Sequence, residues 1–192
     1  SYNISARYFE SYQNAELNVG ILFDNRDAQA DNKHVTVSLY SPKGDKIGSK
    51  TLICSVLPGG ITEANFSMNI AKIKPWTAET PNLYTIHIVQ SDGEGNEEMA
   101  FSTKYGFREI QTVDSQVYIN GRKVLFKGVN RHDSSPVNGR AVTTEEMLQD
   151  VILMKQNNVN TIRTSHYPNH AKMYSMFDYY GLYGVDEAEK EF

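Results

Sequence analysis

The sequence predicts an all-β sandwich followed by the first β/α units of a parallel barrel. Two observations carry this. Up to about residue 109, apolar and polar residues alternate at period two in short runs separated by turns. From residue 110 the order becomes strand, helix, strand, helix, strand, with amphipathic helices between short apolar strands. The predicted domains are therefore 1–109 for the sandwich and 110–192 for the barrel portion.

In the first part, Leu17, Val19, Ile21 and Phe23 form one alternating set, and Val35, Val37 and Leu39 alternate with Thr36, Ser38 and Tyr40. Pro42, Lys43, Gly44 and Asp45 then make a turn. Residues 83–89 alternate again, and the polar run 91–96 is a hairpin loop that brings 99–107 back to pair with them. Strands are also predicted at 4–9, 46–56 and 64–70. Short strands with turns every ten or so residues are the pattern of an immunoglobulin-like sandwich. Trp76 lies in a loop bracketed by Pro75 and Pro81 and reads as a structural plug, with a sugar-stacking platform as its alternative. His34 and His87 stand alone in strands, and the single cysteine, Cys54, sits among Ile53, Val56 and Leu57 as a buried thiol.

The second part opens with a hairpin, 117–119 and 123–126, across Asn120-Gly121, the residue pair a type I′ turn demands. The chain runs on to Val129 and breaks at Asn130, Arg131, His132 and Asp133. After a loop holding Pro136 and Gly139, Thr143 with Glu146 three residues on forms a capping box, and Met147, Leu148, Val151 and Met154 follow at helical spacing. A strand at 159–163 comes next. Asn169 is read as the cap of a second helix, with Met173, Phe177 and Tyr180 on its inner face and Gly181 just past its end. The last strand is 182–185.

Such β/α repeats build parallel sheets. A doubly wound nucleotide fold requires a glycine-rich turn after its first strand, and here that turn is Asn-Arg-His-Asp, so the (β/α)8 barrel is favoured. A whole barrel takes roughly 250 residues and only about 80 follow the sandwich, so the sequence reads as a piece of a longer protein.

A net charge of −4 argues against a nucleic-acid or anionic-membrane partner, and no apolar run is long enough for a membrane span. One cysteine and no His-x-His pair argue against a zinc site. Active sites of parallel α/β folds collect at the C-terminal ends of strands. Those ends offer Asn130, Arg131, His132 and Asp133; then Arg163, Ser165 and His166; then Asp186 and Glu187. Asp186 and Glu187 are adjacent on a strand and point to opposite faces, so they are no acid/base pair.

Asn160, Arg163, Thr164, Ser165, His166, Tyr167 and Pro168, followed by Met173-Tyr174, Asp178 and Gly181-Leu182-Tyr183, resemble the signature of glycoside hydrolase family 2. Gly184 departs from it, standing where the family usually has a bulky apolar residue. The stretch 128–133 resembles the family's strand-one motif, with Arg131 pointing to the β-galactosidase branch, and 153–158 and 185–188 are similar to bacterial β-galactosidases. Trp76, Ala78, Glu79, Pro81, Asn82, Leu83 and Tyr84, with 106–109, resemble the family's immunoglobulin-like domain.

The resemblance implies a retaining β-glycosidase that hydrolyses terminal β-D-galactosides, with β-glucuronidase and β-mannosidase as alternatives inside the family. A non-catalytic sugar-binding or oligomer-scaffold module is the alternative outside it. By the same resemblance the two catalytic glutamates fall beyond Phe192, so the 192-residue chain itself is expected to be inactive. His132 and His166 match histidines that bind sugar hydroxyls and support the transition state. Arg163 matches an arginine beside the nucleophile, and Asn130 and Arg131 belong to the same supporting set. Glu191 matches a magnesium ligand of many β-galactosidases; magnesium is expected in the full-length enzyme and none in the isolated chain. The expected partners are a β-galactoside or related oligosaccharide and, for the full-length enzyme, other copies of itself.

Overall fold

The structure, a computed structural model, describes residues 1–187. It divides into two compact units, Ser1–Pro75 with Leu83–Phe107, and Trp76–Asn82 with the chain from Arg108 onward. Among the described residues no helix is long and apolar enough to cross a membrane.

The first unit holds β1 (Tyr2–Phe9), β2 (Asn14–Asn25), β3 (Asp31–Tyr40), β4 (Lys46–Val56), β5 (Gly60–Ile70), β6 (Tyr84–Ser91) and β7 (Glu97–Tyr105). They form two sheets, ordered β1-β2-β5 and β4-β3-β6-β7, with every neighbouring pair antiparallel. The period-two alternation sends one face of each strand inward. Leu17, Val19 and Ile21 of β2 meet Val35, Val37 and Leu39 of β3 and Ile86 and Ile88 of β6 in one core. Removing that apolar area from water is what holds two sheets together. Cys54 is buried at the edge of this core, and burial pushes its thiol up.

The second unit begins with a three-stranded sheet of β8 (Ile110–Val113), β9 (Gln116–Ile119) and β10 (Arg122–Lys123), ordered β10-β9-β8. The predicted hairpin is its second half. Asn120 and Gly121 take φ of 50° and 69°, the left-handed values a type I′ turn requires. β8 is an addition to the predicted pair, and the second arm ends at Lys123 instead of running on to 126.

Then come β11 (Gly128–Arg131), α1 (Thr144–Gln156), β12 (Thr161–Thr164), α2 (Ala171–Tyr180) and β13 (Tyr183–Val185). The strands pair in parallel in the order β11-β12-β13. Met147 and Val151 of α1 and Met173 and Phe177 of α2 pack with Ile162 and Leu182 over one face of this sheet.

The caps are as predicted for α1 and different for α2. Thr143 and Glu146 exchange both capping-box bonds. In α2 the cap is His170, whose Nδ1 accepts from the main-chain N–H of Lys172 at 3.2 Å. Asn169, the cap expected from sequence, is buried and its side-chain oxygen is taken by Arg131. Gly181 ends α2 at φ 76°, the left-handed position predicted for it.

The segment Trp76–Asn82 belongs with this second unit, not with the sandwich loop that sequence suggested. Trp76 is fully buried; its indole N–H donates to the main-chain oxygen of Asp178 at 2.7 Å, and Arg108 lies 4.4 Å over its ring. A fully buried indole offers no face to a sugar, so the plug reading stands.

Candidate active site

The register of the parallel sheet decides which side chains meet. Asn130 lies beside Arg163, Arg131 beside Thr164, and Arg163 beside Val185. Neighbours in register share a face, and successive residues alternate. Ile162 packs under the helices, so Arg131, Thr164 and Asp186 share the helix side. Asn130, Arg163 and Glu187 fall on the opposite, open face.

On the open face a cation, a carboxylate, an imidazole and an amide come together. Arg163 Nη2 lies 2.7 Å from Glu187 Oε2, and its Nη1 donates to Asn130 Oδ1 at 3.4 Å. Glu187 Oε2 has no aligned hydrogen bond, so this contact is an ion pair set by distance. His166 Nδ1 stands 3.4 Å from Arg163 Nη2 and 3.3 Å from Glu187 Oε1. The Arg163 and His166 side chains are 40% and 64% exposed, so both are open to a ligand. The His132 ring lies 5.6 Å from that of His166, and Tyr167 lies 6.3 Å beyond His132. Thr164 Oγ1 accepts from the main-chain N–H of Glu187 at 3.2 Å and so ties the tip of β13 to β12. The Ser165–His166 peptide bond is cis.

On the helix side the polar groups serve each other. The guanidinium of Arg131 reaches the carboxylates of Asp133 and Asp150 and the side-chain oxygen of Asn169, binding β11 to α1 and to the loop before α2. Asp186 Oδ1 accepts from Thr164 Oγ1 and from the Tyr174 hydroxyl, each at 2.6 Å. The Thr164 hydroxyl, and after it the Tyr174 hydroxyl, hold the Asp186 carboxyl below the usual range. Burial, and then the Asp186 carboxylate, push the Tyr174 phenol up.

Of the residues nominated from sequence, Arg163 touches both Asn130 and His166, and the His132 ring lies against that of His166. Arg131 does not join them: it is 6% exposed and turned to the helix side, where it braces the tip of β11. Ser165 is 1% exposed, which removes it as a nucleophile. Glu191 lies outside the described residues. Among those described, no three His, Cys, Asp or Glu groups gather to hold a metal ion. Sequence reasoning placed Glu187 at its strand tip and turned it away from Asp186, but did not join it to Arg163 and His166. The signal was strand parity: Leu182 packs under the helices, so Glu187, an odd number of residues on, must face the other way.

This arrangement can donate and accept hydrogen bonds to a polyhydroxylated ligand and can steady a neighbouring anion. Acid/base hydrolysis would need a pair of free carboxyls. The helix side holds Asp133 and Asp186, and Arg163 and His166 hold Glu187.

Family comparison matches residues 1–108 to "Glycosyl hydrolases family 2" and residues 110–192 to "Glycosyl hydrolases family 2, TIM barrel domain". A β-galactosidase of Kluyveromyces lactis is 35% identical over 197 residues, covering 94% of this chain and 19% of its own length. A β-galactosidase of Clostridium acetobutylicum is 36% identical over 188 residues, covering 98% of this chain and 20% of its own. The chain thus spans about a fifth of the length of these relatives. Among solved structures, a β-glucuronidase of Bacteroides uniformis superposes with a TM-score of 0.89 over 97% of this chain and 23% of its own, at 24% identity.

Proposed function

Since this chain belongs to glycoside hydrolase family 2, we propose that it is part of a retaining β-glycosidase acting on terminal β-D-galactosides, and that its second unit is the start of that enzyme's (β/α)8 barrel. The observation that carries this reading is the meeting of Asn130, Arg163, His166 and Glu187 at the C-terminal tips of three parallel strands. That is where a barrel of this kind works. The choice of galactoside is supported by the two relatives named as β-galactosidases at 35% and 36% identity. The glucuronidase likeness, at 24% identity, speaks to the fold alone.

Retaining hydrolysis takes one carboxylic acid to protonate the leaving oxygen and one carboxylate to attack the anomeric carbon, roughly 5 Å apart. In this reading both come from later strands, and the residues present supply their surroundings. Arg163 carries five N–H donors. Glu187 and Asn130 engage only two edges of it, so N–H groups remain to hold an incoming nucleophile carboxylate ionised. His132 and His166 bind sugar hydroxyls. Magnesium at Glu191 and assembly of the enzyme into homo-oligomers belong to the same proposal, and no step here passes through a metal.

The test is hydrolysis of p-nitrophenyl β-D-galactoside by the whole protein, with the anomeric configuration of the product followed by NMR. The expected result is retention, and galactoside turned over faster than the corresponding glucuronide or mannoside. A preferred glucuronide or mannoside overturns the galactoside assignment; no hydrolysis of any of the three overturns the reading itself. The 192-residue chain alone is expected to be inactive.

A further inference from the structure

We propose that Glu187 is a positioning residue for His166: its carboxylate keeps the imidazole proton on Nδ1 and so leaves Nε2 as the acceptor that the site presents to a sugar hydroxyl. Naming that hydroxyl rests on the glycosidase reading; the control of the imidazole by Glu187 does not.

His166 Nδ1 has two neighbours with opposite demands. Arg163 Nη2, at 3.4 Å, can only donate, and Glu187 Oε1, at 3.3 Å, can only accept when ionised. One nitrogen of a neutral imidazole cannot satisfy both. If Nδ1 carried a lone pair, it would face a carboxylate oxygen lone pair at 3.3 Å. If Nδ1 carries the proton, it makes a charge-assisted bond to that oxygen. In this arrangement Arg163 gives up its bond to Nδ1 and keeps its ion pair with the other carboxylate oxygen, at 2.7 Å from Nη2. The two oxygens of Glu187 therefore divide the work, one for the guanidinium and one for the imidazole.

Glu187 is itself held in place. Its main-chain N–H is bonded to Thr164 Oγ1 at 3.2 Å, so the neighbouring strand sets where its carboxylate stands. A carboxylate that fixes the tautomer and orientation of a working histidine is a recurrent device, because the nitrogen that does the chemistry is chosen by the bond the other one makes.

The test reads the imidazole directly. Nitrogen-15 NMR of the 192-residue chain in alkaline solution, where imidazoles are uncharged, reports which ring nitrogen of each histidine is protonated; a His166→Ala chain assigns the signal. The expected result is an Nδ1-protonated His166 in the unmodified chain and in Glu187→Gln, whose amide oxygen can still accept. In Glu187→Ala only the Arg163 donor faces Nδ1, so the proton is expected to move to Nε2. The signals of His34 and His87 serve as the folding control. An Nε2-protonated His166 in the unmodified chain, or an unchanged tautomer in Glu187→Ala, overturns the proposal. In the whole protein Glu187→Ala is expected to lower kcat about tenfold or more, as loss of an orienting partner does elsewhere, with KM changed far less and Glu187→Gln retaining more activity than Glu187→Ala. An unmodified protein inactive on the galactoside, glucuronide and mannoside alike defeats the glycosidase reading while the NMR result stands. An unchanged tautomer in an active enzyme defeats the Glu187 proposal alone.

Discussion

The indole N–H of Trp76 donates to the main-chain oxygen of Asp178 across 102 residues of chain. That oxygen is among the last four carbonyls of α2, which have no partner inside the helix. The bond therefore fastens the segment Trp76–Asn82 to the end of α2. Replacing Trp76 with Phe leaves a partly buried carbonyl without its donor and is expected to cost about 1–3 kcal/mol. Replacing it with Ala also opens a cavity, for a total of about 3–5 kcal/mol. Urea unfolding followed by far-ultraviolet circular dichroism measures both, and losses under about 0.5 kcal/mol would show that Trp76 is not the fastening point.

Gly181 and Gly184 are three residues apart and should respond differently to alanine. A Cβ on Gly181 would stand 2.3 Å from the carbonyl oxygen of Ala78, and its φ of 76° is strained for any side chain. Gly181→Ala is expected to cost more than about 2 kcal/mol, strain and overlap together. A Cβ on Gly184 would meet the Phe177 ring at 3.4 Å, which is ordinary contact. Gly184→Ala is expected to stay within about 1 kcal/mol of the unmodified chain. A larger side chain there would press on Phe177. Equal losses at the two positions would contradict this account.

Much of this was legible in the sequence because local rules and tertiary packing agree. The capping box at Thr143, the Asn120-Gly121 turn and Gly181 past α2 each follow from a single residue's conformational needs. Asn169 misled because a short polar side chain suits a cap, and a cap rule takes no account of competition. Arg131, buried and needing acceptors, claims the Asn169 oxygen first, and His170 takes the cap instead. Arg131 itself reads as a site residue from its neighbours Asn130 and His132, yet strand alternation turns it to the other face. Glu187 was passed over once it was clear that it could not pair with Asp186; its real partners, Arg163 and His166, emerge only when register aligns β12 with β13. Trp76 looked like part of the sandwich because the loop that holds it interrupts that unit in sequence.

Acid stability should report on the helix-side bonds of Asp186. Its carboxyl is held below the ordinary value first by Thr164 and then by Tyr174. A group whose folded pKa is depressed contributes stability that is present above its unfolded value, near 4, and is lost as pH falls through the folded value. Thr164→Val removes the first donor. Its melting temperature is expected below that of the unmodified chain at neutral pH, with the gap narrowing once the pH drops below the carboxylate range. Tyr174→Phe should repeat the pattern more weakly. A gap that is constant from neutral to strongly acid pH would mean that the loss comes from packing and not from the Asp186 carboxylate.

Among the described residues, β11 and β13 each have a strand neighbour on one side only. The edges of the first unit carry charges that discourage pairing: Arg7 on β1, Lys46 and Lys50 on β4, Glu63 on β5, and Glu97, Glu98 and Lys104 on β7. β13 is Tyr-Gly-Val, with no charge, and Val185 is 42% exposed. On β11 the one charge, Arg131, is buried, while Val129 is 40% exposed. The 192-residue chain is therefore expected to self-associate through this parallel sheet, giving a sedimentation coefficient that rises with concentration. Val185→Lys should return it toward the monomer, whereas a charge added to β1 should not. Amide exchange should be faster in β13 than in β2 and β3, which are flanked on both sides. A monomer at all concentrations with uniform protection would mean that the strand edges of the second unit are already shielded.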